Sequence, residues 1–201
     1  MPQVLNTIVI EDPKLRHWSK SEYHEMAELG WFRGQRAELI DGEIVVLSPQ
    51  KFEHGRVADR ATEKMRELFG ASFWVRMQLP LDLGPNSEPE PDVSVVTGRR
   101  EDYHDHPKQA VLVIEVSDTT LSFDRGEKAG LYARAGVQDY WILDLVHRQL
   151  HIHRDPIPDP TQANCFTYGS IETFQGSDVV APLNLPAGRV RVSELLGDRV
   201  N

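Results

Sequence analysis

The stretch AVLVIEVSDTTLSFDRGEKAGLYARAGVQDYWILDL, residues 110–145, decides how this chain is read. It opens with Val111, Leu112, Val113, Ile114 and Val116, an apolar run of strand length that suits a sheet covered on both faces. Glu115 interrupts the run, and an unpaired carboxylate buried there costs several kcal/mol, so something must compensate it. The segment DRGEKAGLYARAG then reads as a helix closed by Gly136, and DYWILDL as the next strand. At about 100° per residue, Leu131, Tyr132 and Ala135 form the helix's apolar stripe. Lys128 falls among them, with Asp124 one turn earlier. A helix that follows directly on a strand packs back against the sheet, which brings Lys128 toward Glu115.

Upstream, Ser19 or Ser21 offers an N-cap for a short helix ended by Gly30. RAELIDGEIVVLSP places Asp41-Gly42 between two apolar-containing runs, the dipeptide of a type I′ hairpin. EHGRVADRATEKMRELFG carries Val57, Ala61, Met65 and Leu68 at helical spacing. Strands are expected in SFWVRMQLPLDL and DVSVV, where Asp92 stands at a strand head and shares a face with Ser94. Downstream, RQLHIHRD is a strand, DPIPDPTQ a surface loop, Phe166–Tyr168 and Val179–Val180 short strands, and Ser193 the cap of a final helical turn. The expected architecture is α/β (mixed α+β): a mixed central sheet flanked by helices, with residues 1–18 as an amino-terminal arm and 19–201 as a single domain.

A formal charge of -9, from 22 Lys+Arg against 31 Asp+Glu, argues against a broad basic surface for coating nucleic acid. It leaves room for a divalent ion that bridges acidic side chains to a phosphate. The lone Cys165 cannot form an internal disulfide. MPQVLNTIVIEDPK has no export-signal pattern and no apolar window is long enough to span a membrane, so a cytoplasmic protein is expected. Neither a glycine-rich phosphate loop nor a GxSxG elbow is present.

Two acids on neighbouring strands and an inward lysine are the parts of a metal-dependent phosphodiesterase. Asp92 and Glu115 supply hard oxygens for Mg²⁺ or Mn²⁺, and Lys128 orients or activates a water or offsets charge on the phosphate. The same spacing also fits a structural Glu–Lys pair with no catalytic duty.

The segments ELIDGEIVVLSP, EHGRVA, EPEPDVSVV, LVIEVSDTTLSFDRGEKAGLYARAGVQDYWILDL and PLNLPAGRVRVSELLG resemble the Uma-two family, a former domain of unknown function similar to the PD-(D/E)xK restriction endonucleases. That resemblance implies a restriction endonuclease-like fold and a DNA endonuclease activity. It makes Asp92 and Glu115 metal ligands, with the Val116 carbonyl as a further one. Ser117 stands where the simple pattern has its lysine, and the family's displaced lysine matches Lys128. Glu38 matches an upstream acid that completes the metal site or helps as a base. His54 also matches, and Gln78 is either a polar residue lining the cleft, as the family tends to carry there, or an ordinary strand position. Asp124 either orients Lys128 or caps its helix. Cutting both strands of a duplex calls for two copies about a two-fold axis, so a homodimer is expected. The rival readings are a catalytically silent nucleic-acid or protein-binding module, and a hydrolase of another phosphorylated substrate. His151 and His153 read as an exposed strand face, His104 and His106 as a solvated loop, and Tyr140 and Trp141 as core or dimer-interface aromatics.

Overall fold

The computed structural model describes residues 15–162 and 164–198, so most of the expected arm lies outside the described residues. Helix α1 (Lys20–Glu28) is capped by Ser19: its hydroxyl accepts from the Glu22 N–H, and the Glu22 carboxylate accepts from the Ser19 N–H. Strands β1 (Arg36–Ile40) and β2 (Glu43–Leu47) form the expected hairpin, in register from Arg36↔Leu47 to Ile40↔Glu43. Both turn residues are left-handed, Asp41 at φ 49 and Gly42 at φ 80, as a type I′ turn requires. A side chain at 42 meets a second obstacle, since an added Cβ would lie 2.5 Å from the His17 Cβ. Gly42→Ala is therefore expected to lose about 1–2 kcal/mol in urea unfolding, and an unchanged midpoint would contradict the packing described.

Helix α2 (Phe52–Phe69) buries Val57, Ala58, Ala61, Met65 and Phe69. Next come β3 (Phe73–Met77), β4 (Val93–Thr97) and β5 (Leu112–Ser117). A helical crossover follows: a short α3 (Leu121–Phe123), a π-helical turn over Asp124–Lys128, and α4 (Ala129–Arg134). Strands β6 (Asp139–Asp144), β7 (Gln149–Pro158) and β8 (Phe166–Gln175) complete a six-stranded sheet in the order β3-β4-β5-β6-β7-β8. Only the β5–β6 pair in this sheet is parallel, as its intervening crossover demands. A small β9 (Val179–Val180) and β10 (Val190–Arg191) pair, then α5 (Val192–Leu196). Among the described residues, no helix is long and apolar enough to cross a membrane.

Strand alternation sorts the two sheet faces. Val93, Val95, Ile114, Val116, Trp141 and Leu143 join a core with α2 and α5. Val96, Val113, Tyr140 and Ile142 join a second core with Ala129, Tyr132 and Ala133 of the crossover. Asp92 and Glu115 fall by the same alternation on the crossover side.

Four expectations need correction. His151 and His153 are 1% and 2% exposed, not a solvated face: β8 covers one side of their strand and the crossover packs over them. Arg125 lies against the His151 ring, while His153 sits edge-on to Tyr140 and Tyr168. The DPIP segment is strand rather than loop, because β7 runs past the end of β6 and pairs there only with β8, where a proline interrupts no second ladder. The Phe166 strand is correspondingly long, ten residues, and belongs to the main sheet. Ser193 lies inside α5, whose N-cap is Arg191 with its N–H bonded to Glu194.

Candidate active site

A cavity of ≈ 130 Å³ opens where the hairpin, the amino-terminal end of α2, the head of β4 and the end of β5 meet. Glu38, Asp92, Glu115, Asp124 and Lys128 all line it, and all are at most 5% exposed. Val116 and His54 also line it. Ser117 and Gln78 lie beside it, Gln78 reaching it through Asp92.

Asp92 is held from several sides. Its Oδ2 accepts the Val116 N–H at 2.9 Å, crossing from the head of β4 to the end of β5. His54 Nε2 lies 2.9 Å from Oδ1, and the Gln78 and Gln50 amides donate to the same oxygen at 3.2 and 3.4 Å. Burial works against this carboxylate's charge, but His54, the Val116 N–H and Lys128 outweigh it and hold the group below its ordinary range. Gln78 adopts a left-handed φ of 50 just past β3, an uncommon conformation for a non-glycine residue and one found at functional sites.

Glu115 sits deeper. Its Oε1 accepts from Lys128 Nζ at 2.9 Å and from the Tyr132 hydroxyl at 2.8 Å, while Oε2 accepts from the Asp92 N–H at 3.3 Å. Burial dominates here and pushes the carboxyl up to about 8, against the opposing pull of Lys128. Lys128 Nζ also lies 3.1 Å from Glu38 Oε2. Burial alone would depress this ammonium, but Glu115, Glu38 and Asp124 hold it well above its ordinary range, so it stays protonated. Lys128 therefore acts as a hydrogen-bond donor and a fixed positive charge rather than as a general base. Burial raises Glu38 despite Lys128, and neither of its oxygens makes a well-formed hydrogen bond.

The π turn gives Lys128 its approach. The uniform 100° spacing assumed from sequence breaks down over Asp124–Lys128, yet both end residues still face inward. Asp124 accepts from Thr120 at 2.6 Å, and Tyr140 donates to the Asp124 carbonyl at 2.9 Å, fixing the turn at both chain and side chain. The Ser117 hydroxyl, where the simple pattern has its lysine, lies 3.4 Å from Thr120 Oγ1. Two further residues reach the site that the sequence pattern does not single out, Tyr132 and Gln50. Tyr132 reads only as apolar stripe, although its i, i+4 relation to Lys128 sets its hydroxyl on the same side.

Among the described residues, no three carboxylate, imidazole or thiol groups converge into a ready-made metal cage. The donor set nevertheless suits a small hard cation. Mg²⁺ binds through one or two carboxylates and keeps several waters, and Asp92 and Glu115 are oxygen donors on one cavity wall. Glu38, whose Oε2 faces Lys128 at 3.1 Å, adds a third buried carboxyl group to the same cavity. Within a ladder, N–H and C=O of one residue point to the same neighbour, so the Val116 carbonyl opens on the side of Asp92.

No curated protein matches the chain in sequence. Among solved structures, a "putative nuclease belonging to DUF820" from Anabaena variabilis covers 80% of this chain and 89% of its own, at 15% identity and a TM-score of 0.62, and so shares its fold. A family model described as "Putative restriction endonuclease", Uma2, matches residues 21–191, and with most of its length inside that match the chain belongs to the Uma2 family.

Proposed function

We propose that the protein is a metal-dependent endonuclease that hydrolyses phosphodiester bonds in DNA. Family membership already makes it a nuclease at the family level. The observation that carries the finer reading is the meeting of Asp92, Glu115 and Lys128 on one cavity, with the Lys128 Nζ 2.9 Å from Glu115. Asp92, Glu115 and the Val116 carbonyl would hold Mg²⁺ or Mn²⁺. Bound there, such an ion acidifies water and neutralises charge on the phosphate.

The chain's own residues supply the rest. Lys128 donates to a non-bridging phosphoryl oxygen as negative charge builds on it, from a position fixed by two carboxylates. Glu38, with its affinity for protons raised by burial, accepts the proton of the attacking water. The water oxygen bonds to phosphorus, the bridging P–O bond breaks, and the departing oxygen takes a proton from solvent water, to which Glu38 returns the one it accepted. His54 and Gln78 hold Asp92 in place through second contacts. Cutting both strands of a duplex would take a second copy of the chain.

One observation favours the rival reading of a silent binding module: the three acids and the lysine already satisfy one another largely without an ion. The test is Mn²⁺ titration by calorimetry, run beside plasmid nicking, for wild type, Asp92→Ala and Glu115→Ala. The endonuclease reading expects binding and nicking by the wild type and loss of both in each variant. A wild type that binds no Mn²⁺ overturns it in favour of the module.

A further inference from the structure

The two oxygens of Glu115 are treated differently. Oε1 receives both Lys128 and Tyr132, whereas Oε2 meets only the Asp92 N–H, at a longer 3.3 Å. Tyr132 is completely buried, and its hydroxyl donates to Glu115 Oε1 at 2.8 Å. The ring is fixed against Tyr140, with centroids 5.0 Å apart, so the hydroxyl cannot swing aside without disturbing the core.

We infer that Tyr132 is a positioning residue that, with Lys128, occupies Glu115 Oε1 and leaves Oε2 as the single oxygen this carboxylate can give to a cation beside Asp92. The inference rests on the metal-dependent reading above and adds what that reading lacks, a group that decides how Glu115 presents itself. A carboxylate free at both oxygens can rotate or chelate through both. One anchored at Oε1 presents Oε2 in a fixed direction. Partners that orient a ligand in this way change metal affinity about 10–100-fold when removed.

Tyr168 supplies the control. It belongs to the same buried cluster and its hydroxyl also makes one internal bond, at 2.9 Å, but to the Val137 carbonyl, away from the cavity. Calorimetric titration with Mn²⁺ alone would compare the wild type, Tyr132→Phe and Tyr168→Phe, with a thermal melt of each. The expected result is a Kd raised 10–100-fold in Tyr132→Phe and within about twofold of wild type in Tyr168→Phe, although both lose one buried bond. A Tyr132→Phe protein that binds Mn²⁺ like wild type overturns the inference and leaves the metal reading intact. Equal weakening in both variants also overturns it, since the effect then belongs to the packing of the cluster. A wild type that does not bind Mn²⁺ overturns the metal reading itself, and this inference with it.

Discussion

Replacing Lys128 with methionine is expected to lower the rate of strand cleavage by about 10²–10³-fold, the magnitude typical of removing one preorganised charge-stabilising donor. The same change is expected to destabilise the fold by about 3–5 kcal/mol, because it deprives two buried carboxyl groups of their shared cation. Lys128 Nζ stands 2.9 Å from Glu115 and 3.1 Å from Glu38, and all three are almost entirely out of water. Methionine matches the length and fills the space, so the loss is one of charge rather than volume. The two effects separate in the double variant Glu38→Gln/Lys128→Met. Removing one of the stranded acids is expected to restore part of the stability in denaturant unfolding while cleavage stays low. A single variant that cuts DNA at the wild-type rate removes Lys128 from the chemistry and leaves it a structural ion pair.

Mn²⁺ affinity is expected to rise about 50-fold between pH 6 and pH 8 and to level off above. The cause is Glu115, whose carboxyl burial pushes up to about 8. Below that value the group holds a proton that must leave when the cation binds, so each pH unit costs about a factor of ten in apparent affinity. Above it the competition ends. The same shift acts on the metal-free protein. The folded value lies above the ordinary 4.5, so its contribution to stability is fully present below that pH and is lost as pH rises through about 8. Thermal melts without metal should therefore fall between pH 5 and pH 9, and Glu115→Gln should flatten that part of the curve. Calorimetry in steps of pH checks the first statement, and a pH-independent Kd would show that Glu115 is already ionised before the cation arrives.

Local chemistry made much of this fold readable. Asp41-Gly42 specifies its turn because almost no other dipeptide takes two left-handed residues cheaply, and that turn sets Glu38 in β1. Glu115 is conspicuous because a charge in an apolar strand demands a partner, and helical spacing supplies Lys128. What stayed hidden depends on neighbours distant in the chain. His151 and His153 alternate like an exposed face, and only the crossover's Arg125 and the rings of Tyr140 and Tyr168 bury them. Gln50 reaches Asp92 from a loop with no periodicity to read. Tyr132 looks apolar in any pattern count, since the count sees the ring and not the hydroxyl.

The overhang of β7 beyond β6 bears on how the chain behaves in a crowded solution. There the strand has β8 on one side only, and an open ladder invites another polypeptide to add itself. Pro156 and Pro158 occupy this stretch, and neither has an amide hydrogen to offer an incoming strand. The overhang is thereby a poor seed for edge-to-edge aggregation, although half of its ladder is unclaimed.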